Sequence, residues 1–225
     1  TMSLERREKL IELAHRHEIM VVEDNPYGQV RFDGEPLPSL YELDEGRGWV
    51  IYVSTFSKIL APGLRVGWVA AAPPVLRQMN LGKQSEDLCS GTLNQRFILE
   101  YLERYDWREH VARVNEVYRV RRAALLTALE EEFPSDATWT RPRGGLFVWA
   151  TLPSYFNTQD LLARALARNV AFVPGGAAFL DGQGMNSMRM NFSQSSPEVL
   201  AEGVRRIGEV ISETKDLFEG LGGVR

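Results

Sequence analysis

Lys58 closes the segment Ser54-Thr55-Phe56-Ser57-Lys58, directly after a strand-like run from Trp49 to Val53, and Arg65 follows within Gly63-Leu64-Arg65-Val66-Gly67. A primary amine that can form an imine thus lies near hydroxyls and a guanidinium that can hold a phosphate. Upstream, Ile19-Met20-Val21-Val22-Glu23-Asp24 is an apolar run ending in an acid, followed by the turn signal Asn25-Pro26 and then Tyr27. Ligands gather outside the carboxyl ends of strands in a parallel sheet. Adjacent strands ending at Asp24 and just before Lys58 would therefore bring a carboxylate, a phenol and an amine to one crevice.

Pyridoxal 5'-phosphate asks for this set of groups. It needs a lysine for its aldehyde, a cationic and hydroxyl-rich cradle for its phosphate ester, and a buried carboxylate that keeps its pyridine nitrogen protonated. Each residue also has an ordinary structural use. Lys58 can be a solvated surface charge, Asp24 can close a turn through Asn25-Pro26, Tyr27 can be a half-buried aromatic, and Arg65 can be an ion-pair partner.

The longer motifs resemble those of the fold-type I pyridoxal-phosphate aminotransferases, in particular the branch of 2-aminoadipate and related broad-range aminotransferases. Asp24-Asn25-Pro26-Tyr27-Gly28, Thr55 through Trp68, Gly144-Gly145-Leu146-Phe147, Phe172-Val173-Pro174-Gly175 and Met188-Arg189-Met190-Asn191-Phe192-Ser193 occur in family order across nearly the whole chain. The resemblance implies that Lys58 is the Schiff-base lysine and proton shuttle, that Asp24 partners the pyridine nitrogen, and that Tyr27 bonds the cofactor's phenolic oxygen. It implies Thr55, Ser57 and Arg65 as phosphate ligands, with Thr55 standing where many relatives have serine. Arg189 would grip the substrate α-carboxylate through a bidentate pair. No metal is implied.

By the same resemblance the fold is α/β, aspartate aminotransferase-like. Residues 1–106 would be part of a large cofactor-binding domain, and residues 107–225 a complete small α/β domain entered by a long bridging helix. A complete family member contributes an amino-terminal arm and most of the large sheet ahead of the position of Thr1. The expectation is thus a carboxyl-terminal portion, with the family's Asn-Pro-Thr-Gly asparagine, an earlier phosphate loop and a stacking aromatic outside it. An open apolar edge on the Asp24 or Lys58 strand would then favour self-association. The implied reaction is amino-group transfer between an L-amino acid and a 2-oxo acid, in two half-reactions, by a homodimer. Two other readings stay open: an aminotransferase-like sensor domain of a transcription regulator, and a structural portion without activity.

Composition fits a globular chain of 225 residues, with net charge −4 and 44% hydrophobic residues. No apolar run approaches the ~18 residues of a membrane helix. Basic residues are scattered along helices such as Arg113 to Arg122, which argues against a nucleic-acid surface. One cysteine excludes an internal disulfide and fits a cytoplasmic setting. Cys89 reads as a small packing residue, and Trp49, Trp68, Trp107, Trp139 and Trp149 as core or domain-contact residues.

Helices are predicted from Ser3 to about His17, with Ser3 as cap, and from about Val75 to Gln84, Leu93 to Arg104, Trp107 to Glu132, Thr158 to Arg168 and Pro197 to Asp216. Beyond the strands of Asp24 and Lys58, a third strand at Val66 to Ala71 follows too soon for a helical crossover and so should pair antiparallel. Further strands are predicted at Thr138 to Thr140, Leu146 to Ala150, Val170 to Val173 and Ser187 to Ser193. Gly144-Gly145 reads as a strand-entry turn that permits close backbone approach.

Overall fold

A computed structural model of the chain describes residues 1–220. It divides into two compact units, residues 1–115 with 143–145, and residues 116–142 with those from Leu146 onward.

The first unit begins with α1 (Leu4–His17), whose amino terminus is capped by the Ser3 hydroxyl accepting from Arg6 N–H. Then follow β1 (Val21–Asp24), a short α2 (Leu40–Leu43), β2 (Val50–Thr55), β3 (Gly67–Ala70), α3 (Pro73–Glu86), α4 (Thr92–Arg104) and the first part of α5 (Trp107–Glu132). β1 runs parallel to β2, with Asp24 opposite Val53, and β3 runs antiparallel to β2. Both orientations agree with the sequence. β2 is the centre of this sheet, so of the two site strands it is β1 that has a single partner strand among the described residues.

Side chains alternate across the sheet. Val21 and Val50 point to the face covered by α1 and α2, where they pack with Leu10, Ile11, Leu40 and Leu43. Glu23 shares that face and is 9% exposed. Its carboxylate is satisfied by Arg7 Nη1 at 3.4 Å and by Tyr41 N–H at 3.1 Å. α2 was not predicted, although Ser39 and Glu42 form a reciprocal capping box that is visible as Ser-x-x-Glu in the sequence.

A buried polar knot closes the far end of this layer. Asp44, 1% exposed, accepts from Gly48 N–H at 2.8 Å and Trp49 N–H at 3.0 Å, and lies 2.7 Å from His15 Nε2. One carboxylate therefore ties the last turn of α1 to the loop that feeds β2. At the opposite end, residues 30–33 are zipped to 143–145: Gly145 N–H donates to Val30 C=O at 2.8 Å, and Phe32 and Asp33 N–H both reach Arg143 C=O at 3.1 Å. Gly144 faces Arg31 in a β-bridge, and a Cβ there would lie 2.4 Å from Val30 O. Gly145 has φ +76°. Both glycines are thus required by the turn, as expected of a close backbone approach.

The second unit contains the remainder of α5, β4 (Thr138–Trp139), β5 (Phe147–Thr151), α6 (Thr158–Ala167), β6 (Val173–Pro174), β7 (Ser187–Asn191) and α7 (Pro197–Gly220). Its sheet has the order β4-β5-β7-β6, antiparallel throughout. Val148, Ala150, Met188 and Met190 form the buried face, while Leu200, Val204, Ile207 and Ile211 line one stripe of α7 at helical spacing. Thr158 is buried in this unit, its hydroxyl within 2.9 Å of Met185 O and Ser187 O.

The structure corrects four expectations. The strand predicted at Val170 to Val173 begins only at Val173, because α6 closes through Arg168 N–H and Val170 N–H to Ala165 C=O, with Asn169 at φ +58°. The last helix continues past Asp216 to Gly220. Cys89 is exposed rather than packed, following Leu88 at φ +63° where α3 has ended. Trp68 is 42% exposed and stacks on Tyr52 with ring centroids 5.1 Å apart, a surface pair rather than core.

Two outcomes check this packing. Asp44→Ala leaves two backbone donors and His15 without their acceptor and should cost about 3 kcal/mol in chemical denaturation. Gly144→Ala pushes the 143–145 segment off Val30 and Arg31 and should cost about 1–3 kcal/mol by the same measurement.

Candidate functional site

The carboxyl ends of β1 and β2 are joined beyond their ladder. Asn25 N–H donates to Val53 C=O at 2.9 Å, and Ser54 Oγ donates to Asn25 C=O at 3.0 Å. Asp24, Asn25 and the exit of β2 are held in one register. Alternation then sorts their side chains, placing Asp24, Val53 and Thr55 on one face and Glu23, Tyr52 and Ser54 on the other. The expected buried carboxylate at Asp24 is not found, since Asp24 is exposed and the buried acid is its neighbour Glu23. Asp24 presents an open carboxylate on the Thr55 face.

After Thr55 the chain makes a tight helical turn, with Leu60 and Ala61 N–H both returning to Phe56 C=O. A single 3-10 turn at Pro62–Leu64 follows, and Arg65 reverses direction at φ +52°. Phe56 N–H bonds Val66 C=O at 3.1 Å, which closes the loop at its base. Gly67 then opens β3, where a Cβ would lie 2.9 Å from Ser54 O. Asn94, on α4, donates to Leu64 C=O at 3.1 Å and steadies the turn before Arg65. No local pattern betrays this role, because its partner lies thirty residues away in sequence.

Within that loop the predicted residues come together. Thr55 Oγ1 lies 2.9 Å from Ser57 Oγ, accepts from Ser57 N–H at 3.1 Å and sits 3.0 Å from Val66 O. A hydroxyl has one proton, so donation to Val66 C=O leaves Thr55 to accept both Ser57 groups. Thr55 therefore orients Ser57. Arg65 Nη1 reaches Pro62 C=O at 3.0 Å and Ser57 Oγ at 3.5 Å. Lys58 is half-buried, its Nζ 5.9 Å from the centroid of the Tyr27 ring. Neither Lys58 nor Arg65 has a carboxylate within ion-pair distance among the described residues. On the opposite sheet face, burial and then the Glu23 carboxylate raise the Tyr52 phenol above its ordinary value.

Arg189 belongs to the second unit, on β7 opposite Trp149 of β5. It stands on the face of that sheet opposite Val148 and Met190, its guanidinium 4.4 Å from the centroid of the Phe147 ring. It too lacks a carboxylate partner among the described residues. The stacking leaves the planar edge of the guanidinium for bidentate bonding.

An amine, a guanidinium and hydroxyls gathered in one loop, beside a carboxylate and a phenol, form a donor set for an anionic, ring-bearing ligand. The residues match the aminotransferase class I and II family over positions 1–207. Aromatic-amino-acid aminotransferase 1 of Thermococcus litoralis is 46% identical over 213 residues, covering 95% of this chain and 51% of that protein. The uncharacterized HTH-type transcriptional regulator YdfD of Bacillus subtilis is 31% identical over 212 residues, covering 94% and 43%. The crystal structure of LysN, an α-aminoadipate aminotransferase from Thermus thermophilus complexed with N-(5'-phosphopyridoxyl)-L-leucine, superposes with a TM-score of 0.91 at 40% identity, covering 96% and 56%. The chain spans about half the length of the curated relatives it matches. No helix among the described residues is long and apolar enough to cross a membrane. With the motifs, the strand order around Lys58 and the match over nearly its full extent all in agreement, this chain belongs to the class I and II aminotransferases and carries their aspartate aminotransferase-like α/β fold.

Proposed function

We propose that the protein carrying this chain is a pyridoxal 5'-phosphate-dependent aminotransferase that moves an amino group between an L-amino acid and a 2-oxo acid. The observation that carries the reading is the loop after β2, where Lys58, Ser57 and Arg65 converge beside Tyr27 with no neutralising carboxylate among the described residues.

Those residues fit the cofactor's groups one by one. Lys58 would attach it through its amine, and Arg65 and Ser57 would hold its phosphate, with Thr55 fixing the Ser57 hydroxyl. Tyr27 would bond its phenolic oxygen and Asp24 its ring nitrogen, whose ligation would bury the carboxylate that is open here. When bound, the cofactor supplies an electron sink for the substrate Cα. Lys58 Nζ would take the substrate Cα proton and return it later in the reaction. We assign Arg189 to the substrate α-carboxylate, which its edge-exposed guanidinium suits.

We further infer a cytoplasmic homodimer. α3 and α4 expose Leu76, Met79, Leu81, Leu93, Phe97 and Leu99, an apolar surface of the kind that marks a protein contact. The lone exposed thiol of Cys89 fits a reducing compartment. Similarity to YdfD favours a second reading, a cofactor-dependent sensor domain of a regulator, which uses the same loop to bind the cofactor without turnover.

The test is made on the full-length protein. With added cofactor, borohydride reduction should leave an adduct on the peptide containing Lys58. Lys58→Ala should abolish that adduct and lower transamination at least about 10³-fold. Arg65→Gln should weaken cofactor binding about 10–100-fold, read by absorbance titration. Normal transamination by Lys58→Ala would overturn the enzyme reading. A Lys58 adduct without transamination, coupled to cofactor-dependent binding of duplex DNA, would establish the regulator instead.

A further inference from the structure

α4 meets the rest of the first unit along a narrow stripe. From Thr92 to Leu99 every side chain is exposed except Asn94, which is half-buried, and Ile98, which is buried one helical turn further on. The inward stripe of a surface helix ordinarily carries apolar residues. At position 94 an amide takes that place. The first turn of α4 does not need it, because Gln95 Nε2 donates to Ser90 C=O at 3.0 Å and Gln95 N–H to Gly91 C=O at 3.3 Å. Asn94 Nδ2 donates instead to Leu64 C=O at 3.1 Å.

The oxygen that Asn94 holds belongs to the peptide joining Leu64 to Arg65, and a peptide is planar, so a bond to its oxygen fixes the plane. One side of that plane sets φ at Arg65, which is +52°, a left-handed value that a residue with a Cβ adopts at a cost. Such a conformation persists where the surroundings over-determine it. Leu64 N–H to Ala61 C=O at 3.3 Å and Phe56 N–H to Val66 C=O at 3.1 Å hold the chain before and after, but each engages a different peptide. The left-handed turn brings Arg65 Nη1 to Pro62 C=O at 3.0 Å and Ser57 Oγ at 3.5 Å. Rotation of the 64–65 peptide toward negative φ would swing the guanidinium away from Ser57. Lys58 stands on the other limb of the loop, whose bonds run from Leu60 and Ala61 N–H to Phe56 C=O.

We propose that Asn94 is a positioning residue for the cofactor's phosphate: by holding the Leu64 carbonyl it keeps Arg65 turned back beside Ser57, and so favours the phosphate ester over the same ring without it. The inference rests on the aminotransferase reading above. Asn94 touches neither the cofactor nor Lys58 in this role. Its contribution reaches the phosphate only through Arg65, so it is spent when Arg65 is removed, and imine formation at Lys58 does not draw on it.

The test compares pyridoxal 5'-phosphate with pyridoxal, which offers Lys58 the same aldehyde and no phosphate, in absorbance titrations of the full-length protein. Asn94→Ala should weaken binding of the phosphate ester about 5–10-fold, the scale of one lost hydrogen bond, and change pyridoxal binding by less than about twofold. Asn94→Leu, which fills the stripe but has no donor, should behave in the same way. In an Arg65→Gln background, Asn94→Ala should add less than about twofold to the loss, because the two residues act as one unit. Equal weakening for both ligands, or a full additive loss on top of Arg65→Gln, would overturn the assignment and make Asn94 an ordinary packing residue. A wild type that binds the phosphate ester no better than pyridoxal would overturn it too. Absence of transamination in a wild type that does prefer the phosphate ester would sink the aminotransferase reading alone, and the ratio of the two affinities would still decide Asn94.

Discussion

The parallel pairing of β1 with β2, carried one step past the ladder by Asn25 and Ser54, is the constraint on which the site depends. Without it, Asp24 and Tyr27 would belong to one loop and Lys58 to another, with independent freedom. Two hydrogen bonds at 2.9 and 3.0 Å remove that freedom where the strands end. The antiparallel return through β3 does the same on the other side, because Phe56 N–H to Val66 C=O closes the Lys58 loop at its base. Backbone pairing, rather than side-chain contact, sets the positions from which the reactive groups work.

The sheet also divides labour by its two-residue period. Glu23 and Asp24 are chemically alike and adjacent, yet one is locked by Arg7 and the Tyr41 amide while the other faces outward. A slip of one residue between β1 and β2 would exchange them, burying Asp24 under α2 and exposing Glu23. The packing of Val21 and Val50 against Ile11 and Leu40 opposes that slip. The apolar core of the first unit thus fixes which acid is available for chemistry.

Much of this was legible in the sequence because it was local. The α1 cap, the three strands around Lys58 and the antiparallel turn of β3 follow from short patterns that tertiary contacts reinforce. The Ser39–Glu42 capping box was equally local and went unread, being followed by only one helical turn. What sequence could not reveal depends on partners far along the chain: Asp44 gathering His15 into the β2 entrance, Asn94 holding Leu64, and Gly144 seating Arg31. The delayed start of β6 belongs to the same class, since the closing bonds of α6 use residues that by composition read as strand. Which face Asp24 takes was not legible, because an acid closing an apolar run has the same pattern on either face.

Charge distribution joins these observations. Along the helices, opposite charges are paired three or four residues apart, as in Arg113 with Glu109 and Arg205 with Glu202 and Glu209. Arg7, near the site but structural, is paired with Glu23. Among the described residues Lys58, Arg65 and Arg31 of the first unit lack such carboxylates, in a chain whose net charge is −4. A chain with surplus acid could neutralise these cations at little cost. Arg31 and Arg65 are instead held by carbonyl or hydroxyl contacts that leave the charge intact, and Lys58 lies beside the Tyr27 ring. Such a potential is complementary to an incoming anion. An anion gains most where it meets several such cations together, and the closed loop after β2 carries two, Lys58 and Arg65.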